Sequence, residues 1–184
     1  MIASHLTAGS LRPILAAPVA ALLFLVQAPA FPLLAAETLP SPESAPVLVI
    51  DGAIANTTDG DLALFDMAAL RALPAESFTT GTLWTEGTST FTGVPLRALL
   101  DHVGAEGGTV VARALNEYSV EIPVDEIGET YPVVAYLIDG EEFPVRRKGP
   151  LWIVYPYDAD PAHRSDASYA RSVWQLHRLT VQDD

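Results

Sequence analysis

The chain contains no cysteine among its 184 residues. That excludes disulfide bonds, thiolate metal ligands and thiol nucleophiles together. The fold must therefore rest on a hydrophobic core, for which 49% apolar residues suffice. Positive charge is also scarce: 10 Lys and Arg stand against 23 Asp and Glu, a formal net charge of −13 at pH 7. Such an acidic surface is a poor match for nucleic acid or anionic lipid, and solubility accounts for it. Several motifs are missing. His5, His102, His163 and His177 show no H-x-H, H-x3-H or H-E-x-x-H spacing, so no dedicated zinc site is expected. No G-x-S-x-G occurs. Gly107-Gly108 has neither the lysine nor the strand-to-helix context of a phosphate loop. The acid pairs Asp125-Glu126 and Glu141-Glu142 fall in turn-like segments and read as solvated faces.

Residues 1–36 read as an export leader. One cation, Arg12, precedes an apolar run from Ile14 to Ala30 that ends in small residues. Ala28-Pro29-Ala30 and Ala35-Ala36 are the two candidate cleavage sites, and the second is preferred. The alternative is an uncleaved anchor, but Pro13, Pro18, Pro29 and Pro32 oppose a straight helix long enough to span a bilayer. Residues 37–46, ETLPSPESAP, follow as a Pro-rich linker or extended arm. Residues 47–184 form one domain of ordinary size.

Within that domain strands dominate. Val47–Ile50 is a strand ended by the turn Asp51-Gly52. Asp66 is placed to cap a short helix carrying Leu70 and Leu73 on one face and stopped by Pro74. Ser77–Trp84 is expected as a strand and Thr85–Thr90 as a turn. The segment Phe91–Gly104 is expected as a helix entered at Pro95 and ended by Gly104, with Leu96, Leu99 and Leu100 inward. Thr109–Asn116 and Ser119–Pro123 are strands joined by a tight connection at Glu117-Tyr118, and Val124–Gly128 is one helical turn. Tyr131–Phe143 reads as a strand, an Asp-Gly turn and a short return. Leu151–Pro156 is a continuous apolar run and hence a buried strand. Tyr157–Tyr169 is a polar loop. The last strand, Ser172–Val181, alternates Val173, Gln175, His177 and Leu179 on one face with Trp174, Leu176, Arg178 and Thr180 on the other. The class is α+β, with a mostly antiparallel or mixed sheet and a few short helices.

One segment stands out chemically. Arg146, Arg147 and Lys148 are three of the chain's ten basic residues, and Lys148 is its only lysine. They precede Gly149-Pro150 and the buried run. Cations on a rigid turn bind an anion or the carbonyl edge of a flat heterocycle, and tryptophan or tyrosine faces stack such a ring. A solvated turn that pairs with nearby acids is the other reading.

The motifs around this segment resemble a known family. F-T-G-V-P-L-R-A-L-L (Phe91–Leu100) is similar to the F/W-x-G-x-P-L-x-x-L-L segment of the sulfite oxidase fold, which houses molybdopterin-dependent oxidoreductases. Ile138–Asp158 resembles its N-G-x-P-L…G-x-P-L-R-x-x-x-P segment, and Ala114–Pro123 its Y-x-x-x-I/L-P segment. The likeness runs from Val47 to Val181. In the enzymes a cysteine ahead of the first motif gives molybdenum a thiolate. Here that region reads TTGTLWTEGTST, with Trp84 near the expected place, and an indole does not replace a thiolate. The resemblance thus implies that oxygen-transfer chemistry is lost and that no molybdenum is held. W-T-E-G-T-S-T-F-T-G (Trp84–Gly93) and K-G-P-L-W-I-V-Y-P (Lys148–Pro156) look closer to small cysteine-free periplasmic pterin-binding proteins of this fold.

That resemblance implies a periplasmic, non-catalytic protein that binds a reduced or molybdopterin-like pterin. It would relay the ligand's presence to the periplasmic domain of a membrane-bound sensor, such as one that makes or degrades cyclic di-GMP. On this basis Arg146, Arg147, Lys148 and Gly149 form one wall of the pocket and hold the pterin carbonyl or its polar tail. Trp84 stacks the ring. Asn116, Glu117 and Tyr118 reach the mouth, and Glu117 or Glu86 accepts the two adjacent N–H groups of the aminopyrimidine edge. Arg171 and Trp174 close the pocket, although Trp174 serves equally as a core anchor. Trp152 reads as core. The alternatives are a molybdopterin-dependent oxidoreductase of the sulfite oxidase type and a ligand-free interaction scaffold.

Overall fold

The computed structural model describes residues 37–183. The expected leader, with His5 and Arg12, lies outside them. In chain order the strands are β1 (Leu48–Gly52), β2 (Ala63–Phe65), β3 (Glu76–Gly81), β4 (Thr88–Pro95), β5 (Thr109–Ala114), β6 (Ser119–Pro123), β7 (Val133–Ile138), β8 (Trp152–Val154) and β9 (Leu176–Gln182). The helices are α1 (Met67–Ala72), α2 (Leu96–His102) and α3 (Asp166–Ala170). One sheet has the order β2-β1-β9-β5-β6 and is mixed, because β1 and β9 run parallel. The other has the order β3-β4-β7-β8 and is antiparallel throughout. The architecture is α+β, as the sequence pattern predicts. Every residue of β8 is buried, together with Val133, Val134 and Ala135 of β7. That double-sided burial is why these strands read as apolar runs instead of alternating. Leu96, Leu99 and Leu100 anchor α2 in the same core.

Four local expectations are corrected. The strand expected over Ser77–Trp84 stops at Gly81. There the Asp158 carboxylate accepts the Gly81 N–H at 2.6 Å. Thr82 Oγ1 accepts the Trp84 N–H at 3.0 Å and shares a hydrogen bond with the Thr85 hydroxyl. Side chains take over the backbone's partners and lead Trp84 out of the ladder. Conversely, Thr88–Thr90 are strand and not turn. Hydroxyl pairs across β3 and β4, Ser77 with Thr92 and Thr79 with Thr90, hold them at 2.9 and 2.8 Å.

Phe91–Val94, ahead of the helix entry expected at Pro95, continue β4. Pro95 forces its predecessor toward extended backbone, so α2 begins only at Leu96. A bulge at Thr92/Gly93 brings β4 so close to β7 that a Cβ on Gly93 would lie 2.1 Å from the Val134 carbonyl oxygen.

The polar segment Tyr157–Tyr169 is not all loop. It contains a 3-10 turn, Pro161–His163, and most of α3, capped by Ser165, whose Oγ accepts the Ser168 N–H at 3.1 Å. Five residues are too few for an apolar period to show.

In β9 the expected alternation fails at His177. Ala114 pairs with Leu176 and Arg113 with Arg178, which leaves His177 as an extra residue. Leu176 and Leu179 are consequently both buried.

The Pro-rich segment lies along the domain. Leu39 is buried and its N–H donates to Thr57 O at 2.8 Å. Oδ2 of buried Asp66 accepts the N–H groups of Glu43 and Ser44 and the Ser44 hydroxyl, while Oδ1 accepts the Ala69 N–H that caps α1. The Ala69 bond first, then those from the arm, hold this carboxyl below the usual range.

Candidate functional site

Two cavities share Trp84 as a wall. The first, about 260 Å³, is lined by Trp84, Asn116, Tyr118, Tyr169, Ser172 and Trp174, with Ala114, Ala170 and Val173 behind them. The second, about 370 Å³, is lined by Trp84, Arg146, Arg147, Lys148 and Trp152, and by Asp139, Glu141, Glu142 and Phe143.

The first is an aromatic chamber. From the β3–β4 turn, Trp84 meets Trp174 edge-on at 5.5 Å between ring centroids, Trp152 at 5.8 Å and Tyr169 at 6.0 Å. Trp152 and Trp174 approach to 6.4 Å, so the chain's three tryptophans form one cluster. Tyr169, set by α3, stacks on Tyr157 at 5.1 Å. Ser172 Oγ donates to Ser168 O at 2.6 Å. Its single proton is thereby used, so the Tyr157 hydroxyl must donate to it. Burial pushes the Tyr157 phenol up to about 12. Tyr118 lies across the opening, its hydroxyl donating to Ala170 O at 2.8 Å, and Asn116 Oδ1 accepts the Tyr118 N–H at 3.2 Å.

The second cavity is charged. Val145–Arg147 form a 3-10 turn closed by Lys148 in the left-handed region, φ 70°. Lys148 Nζ sits 5.3 Å from the Trp174 ring centroid, a cation–π contact that joins the two cavities. Among the described residues none of Arg146, Arg147 and Lys148 belongs to an ion pair. Glu142 pairs with Arg71 instead, and Asp139 accepts the Thr90 N–H at 2.8 Å. Trp152 is 1% exposed, and its Nε1–H has no partner among the described residues. A buried donor left unpaired is uncommon, and this one belongs to a residue that lines the cationic cavity.

The expected site residues divide accordingly. Trp84, Asn116, Tyr118 and Trp174 meet in the first cavity; Arg146, Arg147 and Lys148 meet Trp84 in the second. Gly149 lines neither. It is tucked so tightly under the turn that a Cβ would lie 1.7 Å from Phe143 O. Glu117 has φ 66°, and its exposed carboxylate faces Arg113 at 3.6 Å. Glu86 is exposed in the β3–β4 turn. Neither carboxylate lines a cavity. Arg171 turns away to Glu126, at 2.6 and 3.4 Å, which holds that carboxyl below the usual range. Trp152 is core, as expected, and also cavity wall. Tyr169 and Ser172 escaped the sequence reading. The S-x-x-S spacing of Ser165 and Ser168 was the one signal that would have placed Tyr169 on a helix.

The chain belongs to the family described as the oxidoreductase molybdopterin binding domain, whose model matches residues 63–159. Its fold is the sulfite oxidase-like one that the motifs implied. The sulfane dehydrogenase SoxCD from Paracoccus pantotrophus shares it, at 20% sequence identity and a TM-score of 0.56. The likeness covers 74% of this chain and only 38% of that one. No curated protein matches.

A pterin-type group fits the residues present: flat aromatic walls, an amide at Asn116, and donors at Arg146, Arg147, Lys148 and Trp152 that have no partner among the described residues. A metal held by a protein thiolate does not fit a chain without cysteine. Among the described residues no three His, Cys, Asp or Glu side chains converge as metal ligands.

Proposed function

We propose that this chain is an exported, non-catalytic pterin-binding protein that passes on its ligand status to the periplasmic domain of a membrane-bound sensor. One observation carries the reading. In a cysteine-free member of the molybdopterin-binding family, an aromatic chamber shares the Trp84 wall with a cavity that carries three cations without ion partners among the described residues. The bicyclic ring lies against Trp84, Tyr169 and Trp174, and the Asn116 Nδ2 amide offers its edge a donor. The polar substituent reaches the Arg146–Lys148 turn and the free indole N–H of Trp152. Mostly apolar walls with a few convergent polar groups are the usual make-up of a small-molecule site. Relay to a membrane sensor, such as a cyclic di-GMP enzyme, rests on the resemblance of Trp84–Gly93 and Lys148–Pro156 to periplasmic pterin-binding proteins.

The test is chemical. The full chain is purified from a host that exports it and denatured, and the extract is examined for pterins by mass spectrometry and for molybdenum by elemental analysis. The expected result is a pterin without molybdenum, together with saturable binding of added pterin and a mature N-terminus at Glu37. Molybdenum near one per chain would restore an oxidoreductase of the sulfite oxidase type. Neither ligand, from a folded protein, would leave an interaction scaffold. Co-purification of a membrane sensor that depends on added pterin checks the relay.

A further inference from the structure

Gln175 lines neither cavity, yet it bonds to Lys148 in the wall of the cationic cavity and to Leu115, the chain neighbour of Ala114 and Asn116 in the aromatic chamber. Its backbone N–H donates to Lys148 O at 2.9 Å and its side-chain Nε2 to Val145 O at 2.8 Å. These two bonds grip opposite ends of the cationic turn. Its own carbonyl accepts the Leu115 N–H at 3.0 Å, next to Asn116 of the aromatic chamber. To make all three bonds Gln175 adopts φ 53°, a region costly for any residue with a Cβ. The non-glycine residues with positive φ among the described ones are Glu117, Asp139, Lys148 and Gln175. Asp139 and Lys148 line the cationic cavity, and Glu117 sits between Asn116 and Tyr118. Backbone strain is thus concentrated around the site, where packing must over-determine it.

We propose that Gln175 is a positioning residue that fixes the cationic turn against the Trp174 wall and so sets the register between the two cavities. It acts through the backbone of Val145, Lys148 and Leu115 and does not touch the ligand. The consequence is selectivity. A pterin whose substituent extends into the cationic cavity depends on that register, whereas a bare ring held in the aromatic chamber does not. The selectivity rests on the pterin reading above; the clamp itself does not.

Three full-chain variants separate these possibilities. Gln175→Asn accepts the left-handed backbone readily but falls one methylene short of Val145 O. Gln175→Glu keeps the length and sets an acceptor against that carbonyl. Gln175→Lys keeps a donor. Amide hydrogen exchange is measured without ligand, and affinity is measured for unsubstituted pterin and for a 6-(polyhydroxyalkyl)pterin. In the Asn and Glu variants the N–H groups of Arg147, Lys148 and Gly149 are expected to exchange roughly fivefold faster or more. The substituted pterin is expected to weaken about tenfold and the bare ring less than about twofold, with most of the loss restored by Gln175→Lys. The proposal is overturned if exchange in the turn is unchanged, if both pterins weaken equally, or if the losses merely follow the unfolding midpoint. If the wild-type chain binds neither pterin while exchange still rises in Gln175→Glu, the pterin reading fails and the clamp is upheld.

Discussion

The two cavities that share Trp84 are built on opposite terms. In the aromatic chamber polar groups are already engaged: the Tyr118 hydroxyl with Ala170 O, Ser172 with Ser168 and Tyr157, and Asn116 Oδ1 with the Tyr118 N–H. What it presents is mainly ring surface of fixed shape. In the cationic cavity the donors, from the three cations to the Trp152 indole, stand without ion-pair or hydrogen-bond partners among the described residues. One side thus selects by shape, with its ordering cost already met by folding. The other selects by charge and hydrogen bonding, in geometry that a ligand completes.

Four changes break or sharpen that contrast. The largest effect is expected from Trp84→Ala, which removes the shared wall. Loss of stacking on this scale weakens pterin binding about a hundredfold, and calorimetric titration should show the loss to be nearly independent of salt. Removing one cation, by Arg147→Ala or Lys148→Met, should weaken binding of a polar-tailed pterin about tenfold. That loss should shrink as salt is raised; equal salt dependence at Trp84 and Lys148 would erase the distinction between the cavities.

Asp66→Asn is the control remote from both. Its amide N–H₂ would face the Glu43 and Ser44 donors and release the arm, so the thermal midpoint falls while pterin affinity stays the same. The sign of its pH dependence follows from the depressed carboxyl. The stabilisation is whole above the ordinary carboxyl value of about 4, and it is lost as pH falls through the lower folded value. The gap between wild type and variant should therefore close in acid, as thermal melts from pH 7 downward will show. The smallest effect is expected from Tyr118→Phe. It deletes one exposed bond across the mouth and should cost about threefold in affinity, seen mainly as faster ligand release.

Much of this was legible in the chain itself. Asp66 as a helix cap, Pro95 at the entry to α2 and the buried run of β8 follow from side-chain chemistry that acts within a few residues. Trp84, Arg147 and Lys148 were legible because rare residue types stood close to turn signals. The rest depends on contacts between distant segments. Asp158 ends β3 from 77 positions away, and nothing near Gly81 announces it. The bulge at His177 is set by its register against β5, which reverses the expected faces of the last strand. Arg171 looked like a wall of the pocket until Glu126, on a separate turn, took its guanidinium. Gln175 carried no signal, because its role lies in bonds to backbone groups of distant segments and in no motif around it.

The clustering of all three tryptophans has a practical consequence. Every indole in the chain lies at the wall of a cavity, within 6.4 Å of another by ring centroid. The tryptophan emission of the protein therefore originates entirely at these cavities. Pterins absorb in the near-ultraviolet where indoles emit, so a bound ring would quench that emission by energy transfer. The molecule carries its own optical probe of occupancy, readable without a label and in the presence of any partner that lacks tryptophan.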